Sequence, residues 1–191
     1  LASTGLGEAP PRTVAEAARL AQEGNFKEAA EIYMALALKA ETPVGEVEAC
    51  LPGAAACLQR LNRTAEVDGF LEAAVALHAS HWEVLLAAAQ CLETLPHVGV
   101  IVAGEFQRGP HRGRARWVNS YERDRVRALQ LLVKAWGQLQ GAYDHAKAGE
   151  LFRLAGRLLM GERGFQESWR LQYPTDLGQL PEFEEGRYRG G

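Results

Sequence analysis

GEFQRGPHRGRARWVNSYERDRVRALQLLVKAW, residues Gly104–Trp136, falls into two halves of opposite character. The first sets Gly104, Gly109, Pro110 and Gly113 among Arg108, Arg112, Arg114 and Arg116. Glycine loses the most backbone freedom in a helix, and proline removes a donor and clashes with the preceding turn. Gly104–Val118 is therefore predicted to be an ordered or semi-ordered loop. From Asn119 the chain turns into a strong helix pattern. Val126, Leu129, Val133 and Trp136 make one stripe, and Ala128, Leu131, Leu132 and Ala135 make another. Two apolar stripes predict a helix over Tyr121–Leu139 sandwiched between neighbours, capped by Asn119 or Ser120.

Outward from this stretch the chain reads as helices in pairs. Thr13–Glu16 is a T-x-x-E capping box that opens a helix over about Val14–Glu23. Gly24-Asn25 turns the chain, and a second helix runs from Phe26 until it ends before Pro43. Glu46–Leu61 and Thr64–His78 form the next pair about the turn Asn62-Arg63, and Ser80–Glu83 opens a helix that stops near Pro96. The partner expected there is replaced by the loop. After Tyr121–Leu139, Gly141-Ala142-Tyr143 repeats the earlier turn, and Ala148, Leu151, Phe152, Ala155 and Leu159 continue the stack. Phe165 and Trp169 belong to a short last helix, before Pro174 and Pro181 lead into an acidic tail.

The pattern A-x-x-L-x-x-x-G-x-F-x-E-A-x-x-x-Y, carried by Ala17, Leu20, Gly24, Phe26, Ala29 and Tyr33, resembles a tetratricopeptide repeat. The resemblance implies small residues that let antiparallel helices approach closely, with Gly24 at the turn. The fold class expected is thus all-α: an antiparallel helix-pair, tetratricopeptide-like solenoid of about seven helices with one long Arg/Gly-rich loop insertion. Its expected organisation is a flexible leader over 1–12, a repeat domain over 13–172 with the insertion at 96–119, and a linker or tail over 173–191. The Gly/Pro/Ser-containing leader and the Gly186–Gly191 end read as linker sequence, as in a piece of a larger polypeptide.

Composition sets bounds on function. An apolar fraction of 47% and a charged fraction of 24% are ordinary for a globular protein. A net charge of −3 does not make the whole molecule attractive to nucleic acid or anionic lipid. The charge is uneven: Glu105–Arg127 holds seven arginines against three carboxylates, a local excess of four that leaves −7 elsewhere. The three cysteines, Cys50, Cys57 and Cys91, are an odd number in apolar helical settings and read as small buried hydrophobes, not a disulfide framework. No apolar run is long enough to span a bilayer.

No catalytic constellation stands out. The histidines, His78, His81, His97, His111 and His145, form no H-E-x-x-H, and there is no C-x-x-C, G-x-S-x-G or phosphate loop. His78 and His81 straddle a turn, but a metal needs three or four donors. No enzyme activity, cofactor or metal is expected, and no small-molecule ligand is named. The candidate partner-binding residues are Arg108, His111, Arg112, Arg114 and Arg116. Those arginines, with Phe106 and Trp117 between them, could grip phosphates and stack on bases, contact a protein, or dock on acidic helix faces. The charge balance disfavours nucleic acid. Ile101, Val102, Phe106 and Trp117 are expected to anchor the loop beside Leu92 and Leu129, leaving Arg112 and Arg114 at an exposed tip.

A second resemblance rests on W-V-N-S-Y-E-R-D-R-V-R-A-L-Q, within Gly104–Gln130, and on W-R-L-Q-Y-P-T-D-L-G-Q-L-P-E-F-E-E-G, Trp169–Gly186. Both are similar to the N-terminal helical region, and the linker after it, of very large bacterial proteins of the alpha-2-macroglobulin family. The resemblance implies an exported or cell-envelope setting and a scaffold role beside β-domains. That family's Cys-Gly-Glu-Gln thioester has no counterpart, since leucine follows each cysteine. The function expected is a non-catalytic protein-interaction or structural module whose partner is another protein or adjacent domains of the same polypeptide. The alternative is a nucleic-acid-binding solenoid that uses the basic loop 104–118.

Overall fold

The computed structural model describes residues 12–113, 115–139, 145–161 and 163–185. The leader, Arg114, the turn at Gly141-Ala142-Tyr143 and the Gly186–Gly191 end lie outside them. Among the described residues there are seven α-helices: α1 (Val14–Gln22), α2 (Phe26–Ala37), α3 (Val44–Arg60), α4 (Val67–Leu77), α5 (Trp82–Thr94), α6 (Tyr121–Leu139) and α7 (His145–Met160). Short 3-10 turns cover Thr64–Glu66 and Gly164–Gln172.

Local chemistry accounts for most of the boundaries. Thr13 Oγ1 accepts from Glu16 N at 3.2 Å, the first half of the expected capping box. Gly24 (φ 86°) and Asn62 (φ 56°) adopt the left-handed backbone that lets a helix turn back on itself. The Ser80–Glu83 box does not form; α5 starts at Trp82 after His81, without a side-chain cap. Asn119 Oδ1 caps α6 by accepting from Tyr121 N at 2.7 Å.

The helices pack in sequence, α1 on α2 and α2 on α3, then α3 on α5, α5 on α6 and α6 on α7, with α4 leaning on α3 and α5. Tyr33 of the repeat-like motif presses on Gly53 of α3; a Cβ there would lie 2.7 Å from its ring. The core is densest in α3, α5 and α6. In α5 Val84, Leu85, Ala88 and Ala89 are completely buried, so this helix is covered on both sides.

The all-α expectation is corrected by a four-stranded antiparallel sheet standing where a loop is predicted. β1 (Val98–Val102), β2 (Glu105–Arg108), β3 (Arg116–Asn119) and β4 (Glu184–Glu185) are arranged β2-β1-β3-β4. Val98–Val102 is β-branched at four of its five positions, as a strand prefers. Ala103 (φ 51°) and Gly104 (φ 88°) close a two-residue hairpin, with Val102 opposite Glu105. The expected anchors are corrected as well. Val100 and Val118 are the fully buried residues, while Ile101, Val102, Phe106 and Trp117 are only half-buried. Position in the sheet is the reason: Val100 and Val118 each have a paired strand on both sides, whereas Ile101 and Val102 run out to the hairpin, Phe106 is on the edge strand and Trp117 lies past the described pairing with β4. Val100 and Trp117 share one face, and Gly99, Ile101, Phe106, Arg108, Arg116 and Val118 share the other. Phe106 lies across Gly99, where a Cβ would come within 2.5 Å of the ring.

Candidate functional site

Arg108 ends β2 on the face that carries Phe106, turned toward the helices. It is 2% exposed, the largest side chain fully buried in the protein's described residues. Its Nη2 donates to Asp68 Oδ1 at 2.7 Å and to Asp124 Oδ1 at 2.8 Å. Its Nη1 donates to Asp124 Oδ2 at 2.8 Å, Pro96 O at 2.7 Å and Ser120 Oγ at 3.1 Å, and Nε reaches Asp68 Oδ2 at 3.0 Å. One guanidinium thus joins α4, the α5–β1 connection, β2 and α6. The neighbouring backbone is held too. Thr64 Oγ1 donates to Arg108 O at 2.9 Å, and Gly109 (φ 92°) has no room for a Cβ against Thr64.

Asp124, 6% exposed, is the acidic centre of this junction. It lies one turn after Ser120, whose hydroxyl donates to Oδ2 at 2.7 Å, and His97 Nδ1 donates to the same oxygen at 2.8 Å. Burial alone would raise its pKa, but the hydrogen bonds from His97 and Arg108 outweigh that and hold the carboxyl below its ordinary value. Burial likewise opposes the Arg108 charge, and the bonds to Asp124 and Asp68 raise its pKa in spite of it. Ser120, His97 and Asp124 meet, but not as a relay. Ser120 and His97 both donate to Asp124, so His97 is not the group that accepts the Ser120 proton.

The second part of the site is the chain's own C-terminal segment. After the Gly164–Gln172 turn, residues 174–185 run across α6 to the β3 edge. Gln130 Nε2 donates to Leu177 O at 3.0 Å, and Arg123 Nη1 donates to Pro181 O at 2.9 Å. Phe183 is stacked on Phe106 with centroids 4.6 Å apart, and the Arg123 guanidinium lies 4.8 Å from its centroid. Glu184 and Glu185 then pair antiparallel with Asn119 and Val118, and Glu185 accepts from Arg116 at 3.2 Å. Leu180 and Phe183 line a half-open pocket of about 440 Å³ together with Leu92, Arg108, Asp124 and Arg127.

The candidate residues named from sequence separate on this frame. Arg108 is an internal tie, not a partner-binding surface residue, because two carboxylates and a carbonyl hold its guanidinium. Arg116 is exposed and paired with Glu185. Arg112 is exposed and His111 half-buried at the β2–β3 connection, and Arg114 lies outside the described residues. Trp117 faces away from α6 and borders a hollow with Asn62, Thr64, Pro96 and Pro110. Sequence reading missed Asp68, Asp124, His97, Arg123 and Phe183. The tail's Phe183-Glu184-Glu185 and the basic run around it carried a readable complementarity of charge.

Other groups serve packing. His78 is buried, with Nε2 donating to Ala37 O at 3.0 Å, and its ring is 6.2 Å from that of His81. Among the described residues no group of three His, Cys, Asp or Glu could hold a metal. Burial pushes the Cys50 thiol up to about 11 and the Cys91 thiol up to about 12, as expected of inert core residues. Among the described residues no helix is long and apolar enough to cross a membrane.

No protein-family model, curated protein or solved structure matches the chain, so the two resemblances drawn from the sequence rest on the residues that carry them.

Proposed function

We propose that the chain is a non-catalytic protein-interaction module, and that the face built by α6 and β3 receives an extended stretch of polypeptide. The observation that carries this reading is the mode of attachment of residues 174–185. Side chains of the body capture their main-chain carbonyls, an aromatic residue is clamped between a ring and a guanidinium, and the segment ends by adding a strand to a sheet edge. These are the general means by which folded domains bind peptides through β-augmentation. The repeat-like helix pairs fit a scaffold role, and the macroglobulin-like resemblance fits a module beside further domains of a larger polypeptide.

The distribution of arginines favours protein over nucleic acid. Arg108 is committed inside and Arg116 is paired, which removes two of the phosphate grips the alternative requires.

The test uses the full chain with Phe183→Ala, which loosens its own segment, and a fluorescein-labelled peptide of residues 174–185. Saturable binding with a Kd on the order of 10 µM is the expected result. Absence of saturation up to about 1 mM removes the reading.

A further inference from the structure

The segment on this face is not built like core. None of residues 174–185 is buried, and its strand is two residues long. The half-open pocket of about 440 Å³ that Leu180 and Phe183 help line is room the segment leaves unfilled. Its hold is concentrated in a few points. Leu180 borders the pocket, and Pro181 offers its carbonyl to Arg123 from a backbone already restricted to extended or turn geometry. Phe183 fills the clamp of Phe106 and Arg123, and Glu185 meets Arg116. Glu182 and Glu184 are exposed between them. Arg123 has no carboxylate partner among the described residues, so the receiving face has positive charge to spare for an acidic segment.

We infer that the face is selective for an acidic, aromatic segment of a partner protein with the spacing Leu-Pro-x-Phe-x-Glu, lying antiparallel to β3, and that residues Leu180–Glu185 are an exchangeable stand-in for it. This rests on the peptide-binding reading above and adds the chemistry of the partner. A tethered segment acts at an effective concentration on the order of millimolar, so it masks the face from weak or mismatched sequences. A partner displaces it by presenting the same pattern with a side chain that fills the pocket better.

The test compares labelled peptides on full-length chains by fluorescence anisotropy. The peptide Leu-Pro-Glu-Phe-Glu-Glu is expected to bind the Phe183→Ala chain about tenfold more tightly than the unaltered chain, whose own segment competes. A peptide with alanine for phenylalanine, and one with lysine for each glutamate, should each bind about tenfold more weakly. Arg123→Ala in the receiving chain should reduce the preference for phenylalanine, leaving the part carried by the Phe106 ring. Glu185→Lys supplies a second loosened chain that does not depend on a packed aromatic, since that side chain is 78% exposed. Equal binding of the lysine peptide overturns the acidic selectivity while leaving the peptide-binding reading intact. Equal binding to loosened and unaltered chains overturns the stand-in role. If none of the peptides binds either loosened chain, the face itself is not a peptide site and both proposals fall.

Discussion

Asp124 takes four donated hydrogen bonds, two from Arg108 and one each from Ser120 and His97, in a place almost closed to water. A charged group there is tolerated only because its partners replace the lost hydration. Asp124→Asn keeps the shape and removes the charge, leaving Arg108 with Asp68 as its one remaining carboxylate. At neutral pH this should cost about 3 kcal/mol, measured by urea melts. The folded-state pKa of Asp124 is lowered, so its contribution is fully present above the unfolded aspartate value of about 3.9 and is lost as pH falls through the folded value. The gap between the parent and the variant should therefore be widest near pH 7 and should narrow as the pH drops below about 4. A gap that stays constant down to pH 3 would show that the carboxylate charge is not what holds the junction.

Among the elements, helices were legible in the sequence and the sheet was not. Apolar spacing in Tyr121–Leu139 and the turns at Gly24 and Asn62 report local preferences, and the structure follows them. Val98–Val102 is equally regular, but it is short, and its turn is Ala-Gly where the usual hairpin signal is Asn-Gly or Asp-Gly. The Gly-Pro run beyond it pointed to a loop. Nor could sequence separate Arg108 from its neighbours: what selects it is strand alternation together with Asp68 and Asp124, 40 and 16 residues away. The unfavourable turn makes a prediction. Ala103 holds φ 51°, a conformation that disfavours a plain Cβ and suits asparagine. Ala103→Asn should stabilise the protein by about 0.5–1 kcal/mol, read as a higher denaturation midpoint. A loss of stability would mean that the hairpin does not close through this turn.

On the scale of the whole molecule, the sheet changes how the helical stack can come apart. Arg108 fastens α4 to α6 across the inserted sheet, and Arg127 adds a bond from α6 to Glu72 of α4 at 2.6 Å. The buried cluster matters more than the surface pair, because Arg127–Glu72 is partly exposed and screened by salt. Arg108→Met removes the tie while keeping an apolar side chain of similar reach, and it leaves Asp68 and Asp124 facing each other. The total cost should be about 3–5 kcal/mol in a denaturant melt. Where that cost falls is the decisive measurement. Amide exchange should accelerate by about tenfold or more in β1, β2, β3 and the first turns of α6, while α2 and α3 keep their protection, because their core around Tyr33 and Gly53 is untouched. Salt up to about 0.5 M should leave most of the effect in place, since Arg108 and Asp124 are out of the solvent, and should trim only the share carried by the partly exposed Asp68. A uniform loss of protection from α1 to α7 would mean that the helices already unfold as one unit without Arg108, and that the sheet is carried by the stack instead of locking it.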